Sequence, residues 1–244
     1  MKFSLTVQTR ITDWHFIKHL EDLGYDAAWV PDTQMMWSDC YATMALAAQN
    51  TSRIKLGTGV AIAGTRIAPT TAAAISSINA LAPGRVFLGI GTGHTAMRVM
   101  GQDPISITEF REYLRVVRAM LRGEEVDYTY NGRTTSIVWQ EHGSGFRDIE
   151  HPIPIYVAAN GPRALRTAGM YGDGLCSVFN EQIPVLTYNL EQVRKGAQMA
   201  NRELINYQTT TLTNAVILRA GEKLTDDAIV EKAGSWAVTA LHFV

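Results

Sequence analysis

Two groups in this 244-residue chain stand where a proton could be moved. One is His94, directly after Gly91-Thr92-Gly93, and the other is Asp32, in the step Pro31-Asp32-Thr33. An imidazole titrates near neutral pH and can act as acid or base, whereas a carboxylate can orient or accept. Each has a plainer alternative, His94 as a loop histidine and Asp32 as a helix cap or structural carboxylate. Neutral residues that permit close approach surround them in sequence order: Gln8, Gly57-Thr58-Gly59, Asn160-Gly161-Pro162, and Ser177 to Asn180. Gly, Thr, Ser and Asn in such a set suit a flat ligand that needs backbone approach and uncharged hydrogen bonds. Gly161-Pro162-Arg163 opens a helical stretch, and a helix N-terminus favours phosphate. Met35, Met36 and Trp37 are apolar enough to line a substrate pocket, with a core plug as the alternative for Trp37. His15 and His19 share a helix face but lack a third ligand, so a surface pair is expected and no metal.

These residues fall at the ends of short apolar runs that alternate with longer amphipathic ones. Strands are expected at Lys2–Gln8, Asp26–Val30, Arg53–Ile62, Arg85–Ile90, Ile153–Ala159, Gly174–Phe179 and Tyr207–Leu218. Helices are expected at Thr12–Leu23, Asp39–Gln49, Pro69–Leu81, Ile107–Leu121 (capped by Ser106 or Thr108), Gly161–Met170 and Val185–Ala200. A last helical stretch, Thr225–Ala240, follows. A repeated strand–helix order makes a parallel sheet, either a closed barrel or a doubly wound open sheet. The first turn, Gln8-Thr9-Arg10, lacks the dinucleotide glycine fingerprint, and Gly89-Ile90-Gly91-Thr92-Gly93 comes only at the fourth strand. The expectation is therefore an α/β fold, a TIM (β/α)8-type barrel, forming one domain over residues 1–244 without an eighth strand. In such barrels chemistry sits at the C-terminal strand ends. Between Gly123 and Pro152 lies a polar insertion after the fourth helix. Val126–Tyr130, Asn131-Gly132 and Thr134–Trp139 read there as a hairpin with a type I′ turn. It belongs either to the N-terminal face or across the mouth as a lid.

Composition excludes several classes. A formal net charge of -1 with no Lys/Arg block argues against nucleic acid and anionic membranes. No apolar run approaches a bilayer span. Cys40 and Cys176 are far apart and in no metal spacing, and the N-terminus carries no signal-peptide pattern, which together suit a cytoplasmic protein.

The runs GYDAAWVPD, RIKLGTGVAI, LAPGRVFLGIGTG, IPIYVAANGP and AGMYGDGL resemble the bacterial luciferase-like superfamily. They look most like its deazaflavin-dependent branch, which includes methylenetetrahydromethanopterin reductase and a glucose-6-phosphate dehydrogenase. The resemblance runs from residue 1 to about 220. It implies a barrel with FMN or the deazaflavin coenzyme F-420 laid across the strand ends, and a bulged third strand containing a cis peptide at Gly59–Val60. It further implies that Thr58, Gly59, Val60, Gly91, Thr92 and Gly93 line the ring, that Asn160, Gly161, Pro162, Arg163 and Ser177 hold the phosphate region, and that the protein is a homodimer. The sequence departs from that branch at Thr33, where several dehydrogenases carry a catalytic histidine, and at His94, where the sugar-oxidising enzymes are often acidic. Thr33 cannot act as a base near neutral pH. A reductase or a reduced-flavin monooxygenase acting on a small, partly hydrophobic molecule fits these changes, with His94 the remaining acid/base candidate. A catalytically idle flavin-binding paralogue and a nicotinamide dehydrogenase are the competing readings. Arg66, Arg98 and Arg163 are the rim cations available to an anionic cofactor tail, with a solvated or ion-paired surface residue as the alternative for each.

Overall fold

The computed structural model describes residues 1–8, 10–141, 143–178, 182–213, 215–223, 225–231 and 234. In chain order the elements are β1 (Ser4–Thr6), α1 (Trp14–Asp22), β2 (Ala27–Val30), α2 (Cys40–Asn50), β3 (Lys55–Thr58), β4 (Ala61–Ile62), α3 (Ala68–Leu81) and β5 (Val86–Gly91). They continue with α4 (His94–Arg98), α5 (Ile107–Met120), β6 (Val126–Tyr130), β7 (Arg133–Ile137), β8 (Ile155–Ala158), α6 (Pro162–Tyr171), β9 (Gly174–Val178), α7 (Ile183–Met199) and β10 (Gln208–Leu212). Seven strands pair in parallel in the order β1-β2-β3-β5-β8-β9-β10, and β4 joins β5 as the second half of a broken β3. The sheet curls into a half-barrel. Among the described residues β1 pairs with β2 alone and β10 with β9 alone, so the seven expected strands are present and the barrel is open. Thr9, Phe179 at the end of the sixth expected strand, and half of the helix expected over Thr225–Ala240 lie outside the described residues, although residues 227–231 are helical.

Alternation splits each strand between two layers. Ala28, Val30, Leu56, Val86, Leu88, Ile90, Ile155, Val157 and Leu175 join the large core under the helices. Trp29, Phe87 and Tyr156 take the opposite phase and meet inside the curl, with ring centroids 4.5 Å apart for Trp29–Phe87 and 5.2 Å for Phe87–Tyr156. Three aromatics fit there because glycines face them. A Cβ at Gly57 would stand 2.0 Å from Phe87, and one at Gly89 would stand 2.8 Å from Trp29. Register alternates large and small: Trp29 pairs with Gly57 and Gly57 with Phe87, while Tyr156 lies between Gly89 and Gly174.

The helix ends and strand starts are tied by buried polar groups. Glu21 accepts from the backbone N–H of Ser52 (2.9 Å), Arg53 (2.5 Å) and Ile54 (2.9 Å), which fixes the approach to β3 against α1. Burial alone would raise its pKa, but these donors outweigh that and hold the carboxyl down at about 2. Ser106 caps α5 in a reciprocal box with Glu109. Asn131 and Gly132 both have positive φ, 50° and 76°, which gives the expected type I′ hairpin between β6 and β7. The hairpin packs beside α5, where Arg115 donates to the Asp127 carbonyl, Tyr128 packs on the main core, and Tyr128 and Thr129 line a cavity with residues 63–68. The later part of the insertion reaches the N-terminal face, where Asn79 at the end of α3 donates to the Asp148 (3.1 Å) and His151 (3.0 Å) carbonyls.

Two outcomes follow from this packing. A Cβ on Gly196 would stand 1.9 Å from the Arg166 carbonyl, a rigid backbone contact between α7 and α6. Gly196→Ala should therefore cost about 1–3 kcal/mol and lower Tm by about 2–4 °C per kcal/mol, measured by thermal unfolding. The Glu21 carboxyl has a folded pKa of about 2 against an ordinary 4.5, so its contribution is complete above pH 4.5 and is lost as pH falls from there toward 2. Glu21→Gln should remove about 2–3 kcal/mol at neutral pH and flatten that acid limb in urea melts between pH 2 and 7.

Candidate active site

Parallel pairing brings the C-terminal ends of all the strands to one edge, and with them Thr58, Thr92, Asn160 and Ser177. Above the aromatic layer the inward side of the curl carries small groups. Gly91 would place a Cβ 3.3 Å from that of Ala158, Ala158 pairs with Cys176, and Cys176 pairs with Thr210. Burial pushes the Cys176 thiol up to about 12, so it stays protonated at neutral pH. The result is a shallow, uncharged cradle floored by small residues over three aromatics.

One wall is the break between β3 and β4. From Gly57/Phe87 to Ala61/Ile90, four steps on this strand face three on β5, so one residue bulges. The Gly59–Val60 peptide is cis, at the position implied by the resemblance. Val60 lies beside both Gly89 and Gly91, whose added Cβ atoms would stand 3.2 and 3.4 Å from its methyls. Gly59 has no room for a side chain, since its Cβ would meet Trp29 at 2.7 Å. The Thr58 hydroxyl donates to the Gly89 carbonyl at 2.6 Å and is fully buried, so it fastens the bulge to β5.

Gly93 turns the chain after β5 with φ 91°, where a side chain would strike Ile62 and Met97. Ile62, Ala96 and Met97 form a separate small core that seats α4 and so places half-buried His94 at its first turn. This short helix was not expected from the sequence, where the segment read as loop. Thr92 is half-buried, and its carbonyl accepts from Ile105.

On the far side, the Asn160 carbonyl oxygen accepts from the Ser177 hydroxyl (2.7 Å) and the Val178 N–H (3.2 Å), and Asn189 of α7 donates to Ser177 at 3.4 Å. Gly161, Pro162 and Arg163 are exposed at the start of α6, with Pro162 in its first turn. Asn180, the last residue expected on this wall, lies outside the described residues. Gln8, Met35 and Met36 are exposed, and Trp37 is half-buried in a turn where Met36 and Trp37 donate to the Thr33 carbonyl.

Asp32 is almost fully buried and accepts from Arg66 at 2.9 Å and from the Ile62 N–H at 3.3 Å. Arg66 also donates to Asp39 at 2.6 Å and lies over the Tyr41 ring. Burial disfavours its charge, yet Asp32 outweighs this and holds the guanidinium above its ordinary value. Arg66 was open to two readings, a rim cation for an anion or a solvated or ion-paired residue, and its two carboxylate partners make it ion-paired. Burial, with Asp32 second, likewise pushes the Cys40 thiol up.

Sequence reasoning missed the aromatic layer, Ala158, Cys176 and Asn189. The signal for the layer was present as one aromatic per strand in AAWV, RVFLGIG and PIYVA, each out of phase with the aliphatics. Two cavities are lined by other residues. One of about 310 Å³ sits among Trp139, Glu141 and residues 143–151, and one of about 540 Å³ lies between the hairpin, α5 and residues 63–68. Among the described residues no helix is long and apolar enough to cross a membrane, and no cluster of three or more His, Cys, Asp and Glu residues is placed to hold a metal.

Asn160→Ala should leave the Val178 N–H short of an acceptor and the Ser177 hydroxyl with only its longer bond to the Val178 carbonyl (3.3 Å), and cost about 1–3 kcal/mol in chemical denaturation.

Residues 14–238 match the family described as Luciferase-like monooxygenase. The 5,10-methylenetetrahydromethanopterin reductase of Methanolobus tindarius is 34% identical over 194 residues, covering 78% of this chain and 56% of the relative. An F420-dependent glucose-6-phosphate dehydrogenase of Beutenbergia cavernae is 32% identical over 204 residues, covering 75% and 57% respectively. The chain thus spans a little over half the length of these curated relatives. Among solved structures, a coenzyme F420 dependent tetrahydromethanopterin reductase from Methanopyrus kandleri superposes with a TM-score of 0.73 at 27% identity, over 87% of this chain and 65% of the other. A type II Baeyer–Villiger monooxygenase from Pseudomonas putida, solved with FMN, shares the fold with a TM-score of 0.65 at 19% identity, over 86% and 66% of the two chains.

Proposed function

Because this chain belongs to the luciferase-like monooxygenase family, we propose that its C-terminal edge seats the deazaflavin coenzyme F-420 and serves hydride transfer to a small, partly hydrophobic substrate. The observation that carries this reading is the cradle, in which Gly91, Ala158, Cys176 and Thr210 form a small, neutral floor beside the Gly59–Val60 edge. A planar ring needs that clearance, and a Cβ at Gly91 would already touch Ala158 and Val60. Relatives above 30% identity are a methanopterin reductase and F420-dependent dehydrogenases, which favours the deazaflavin over FMN.

When bound, the deazaflavin supplies a two-electron hydride carrier. The chain's own groups do the rest. Val60 and the glycines of β5 would form the surface against which the ring is held. Asn160, Gly161 and the start of α6 offer neutral donors and a helix N-terminus to the phosphate region, with Arg163 at the rim. His94 stands at the mouth as the acid that delivers a proton to the reduced substrate. Thr33, following Asp32, provides no base of that kind, so reduction fits the site better than alcohol oxidation. Asp32 acts through Arg66 as a positioning group. A homodimer and a cytoplasmic setting complete the proposal, both from family resemblance and cysteine usage.

Absorbance and tryptophan-fluorescence titrations with the deazaflavin and with FMN test the reading. Micromolar binding of the deazaflavin is expected, with FMN weaker. Ala158→Phe should abolish binding without changing the far-ultraviolet circular dichroism, because the ring's space is filled. Arg163→Ala should weaken affinity about tenfold, the worth of one charge-assisted phosphate contact. Failure of both cofactors to bind at high micromolar concentration would refute the proposal.

A further inference from the structure

The loop between β2 and α2 begins and ends on carboxylates. Asp32 and Asp39 bracket Thr33, Gln34, Met35, Met36, Trp37 and Ser38, and both reach the same guanidinium, at 2.9 and 2.6 Å. Arg66 comes from the stretch between β4 and α3, so it closes the base of a loop from a different part of the chain. Asp32 adds the Ile62 N–H of β4, two residues after the cis peptide, and Asp39 caps α2 through the Ala42 N–H at 2.9 Å. The guanidinium lies 4.7 Å over the Tyr41 ring. At the tip of the loop, the Gln34 amide reaches Met100 Sδ just beyond α4. One planar cation therefore fixes three things together: the base of the loop, the start of α2 and the segment that follows the bulge.

We infer that Arg66, held between Asp32 and Asp39, is a positioning residue that clasps the Trp37-bearing loop beside the strand-end cradle and thereby shields a ring seated there from solvent. The inference rests on the cradle reading above. A fork-shaped donor is required, because a lysine ammonium offers a point charge that serves one carboxylate well and two poorly. The halves of the clasp also differ. Asp32 is buried, so removing its partner leaves a charge stranded and endangers the fold, whereas Asp39 is about half exposed. Asp39→Asn is the clean cut, since asparagine keeps the α2 cap and loses only the charge.

The test uses the full chain loaded with the deazaflavin, and with FMN in parallel. Iodide quenching of the bound cofactor's fluorescence reports how open the mouth is, and thermal unfolding reports the fold. For Asp39→Asn the expected result is a dissociation constant and Tm close to wild type, with the iodide quenching constant up about three- to fivefold, the population shift that loss of one partly exposed ion pair produces. Arg66→Lys should show the same rise, and Asp39→Glu should restore most of the shielding. Quenching unchanged in Asp39→Asn with cofactor bound would overturn the clasp and leave the cradle standing. Equal loss of affinity and Tm would reduce Arg66 to a structural ion pair, which also overturns it. If wild type binds neither cofactor, cradle and clasp fall together.

Discussion

Everything at the strand ends depends on how the inside of a curled sheet is filled. Trp29, Phe87 and Tyr156 crowd into one layer, and the glycines at 57, 59, 89 and 174 are the space they need. Interiors tolerate neither overlap nor void, so a methyl added at any of these sites would push an aromatic off its seat. The layer stops below the strand ends. Above it, Gly91, Ala158 and Cys176 leave a recess, because Tyr156 gives way to Ala158 two residues further along β8, and Phe87 to Gly89 and Gly91 along β5.

The two ends of the sheet are built differently for the same electrostatic reason. At the N-terminal end Glu21 gathers three backbone donors, and Asp173 gathers Arg118, Arg202 and the Ile155 N–H. Those groups lock helix ends to strand starts. At the C-terminal end the cradle floor is neutral, with the Asp32–Arg66–Asp39 clasp behind the bulge and Arg163 exposed at the start of α6. A charge facing the recess would have to be desolvated whenever a planar ligand covered it. Keeping charges paired and to the side leaves the floor ready for an uncharged ring.

Much of this was legible from residue order. The alternation of strands and helices, the seven parallel strands, the type I′ turn at Asn131-Gly132 and the cap at Ser106 rest on local propensity and on steric rules that act within a few residues. The cis peptide at Gly59–Val60 came from family resemblance and is present. The clustering of Thr58, Thr92, Asn160 and Ser177 along one edge follows from parallel pairing alone. The role of Arg66 stayed open in the sequence because nothing local distinguishes a solvated arginine from one that meets carboxylates 34 and 27 residues earlier. The hairpin's position was open for a similar reason: its turn chemistry is local, but the face of α5 that receives Tyr128 is not.

By itself the sequence determined the order and type of the elements, the neutral character of the strand ends, and the uncharged Thr33 after Asp32, since these depend on side-chain identity and short-range periodicity. The tertiary structure decided which hydroxyls are already taken, as Thr58 is by Gly89 and Ser177 by Asn160. It also decided where the floor of the recess lies and which carboxylates hold Arg66. Those outcomes come from contacts between segments distant in the chain, where geometry and burial, not composition, select the partner.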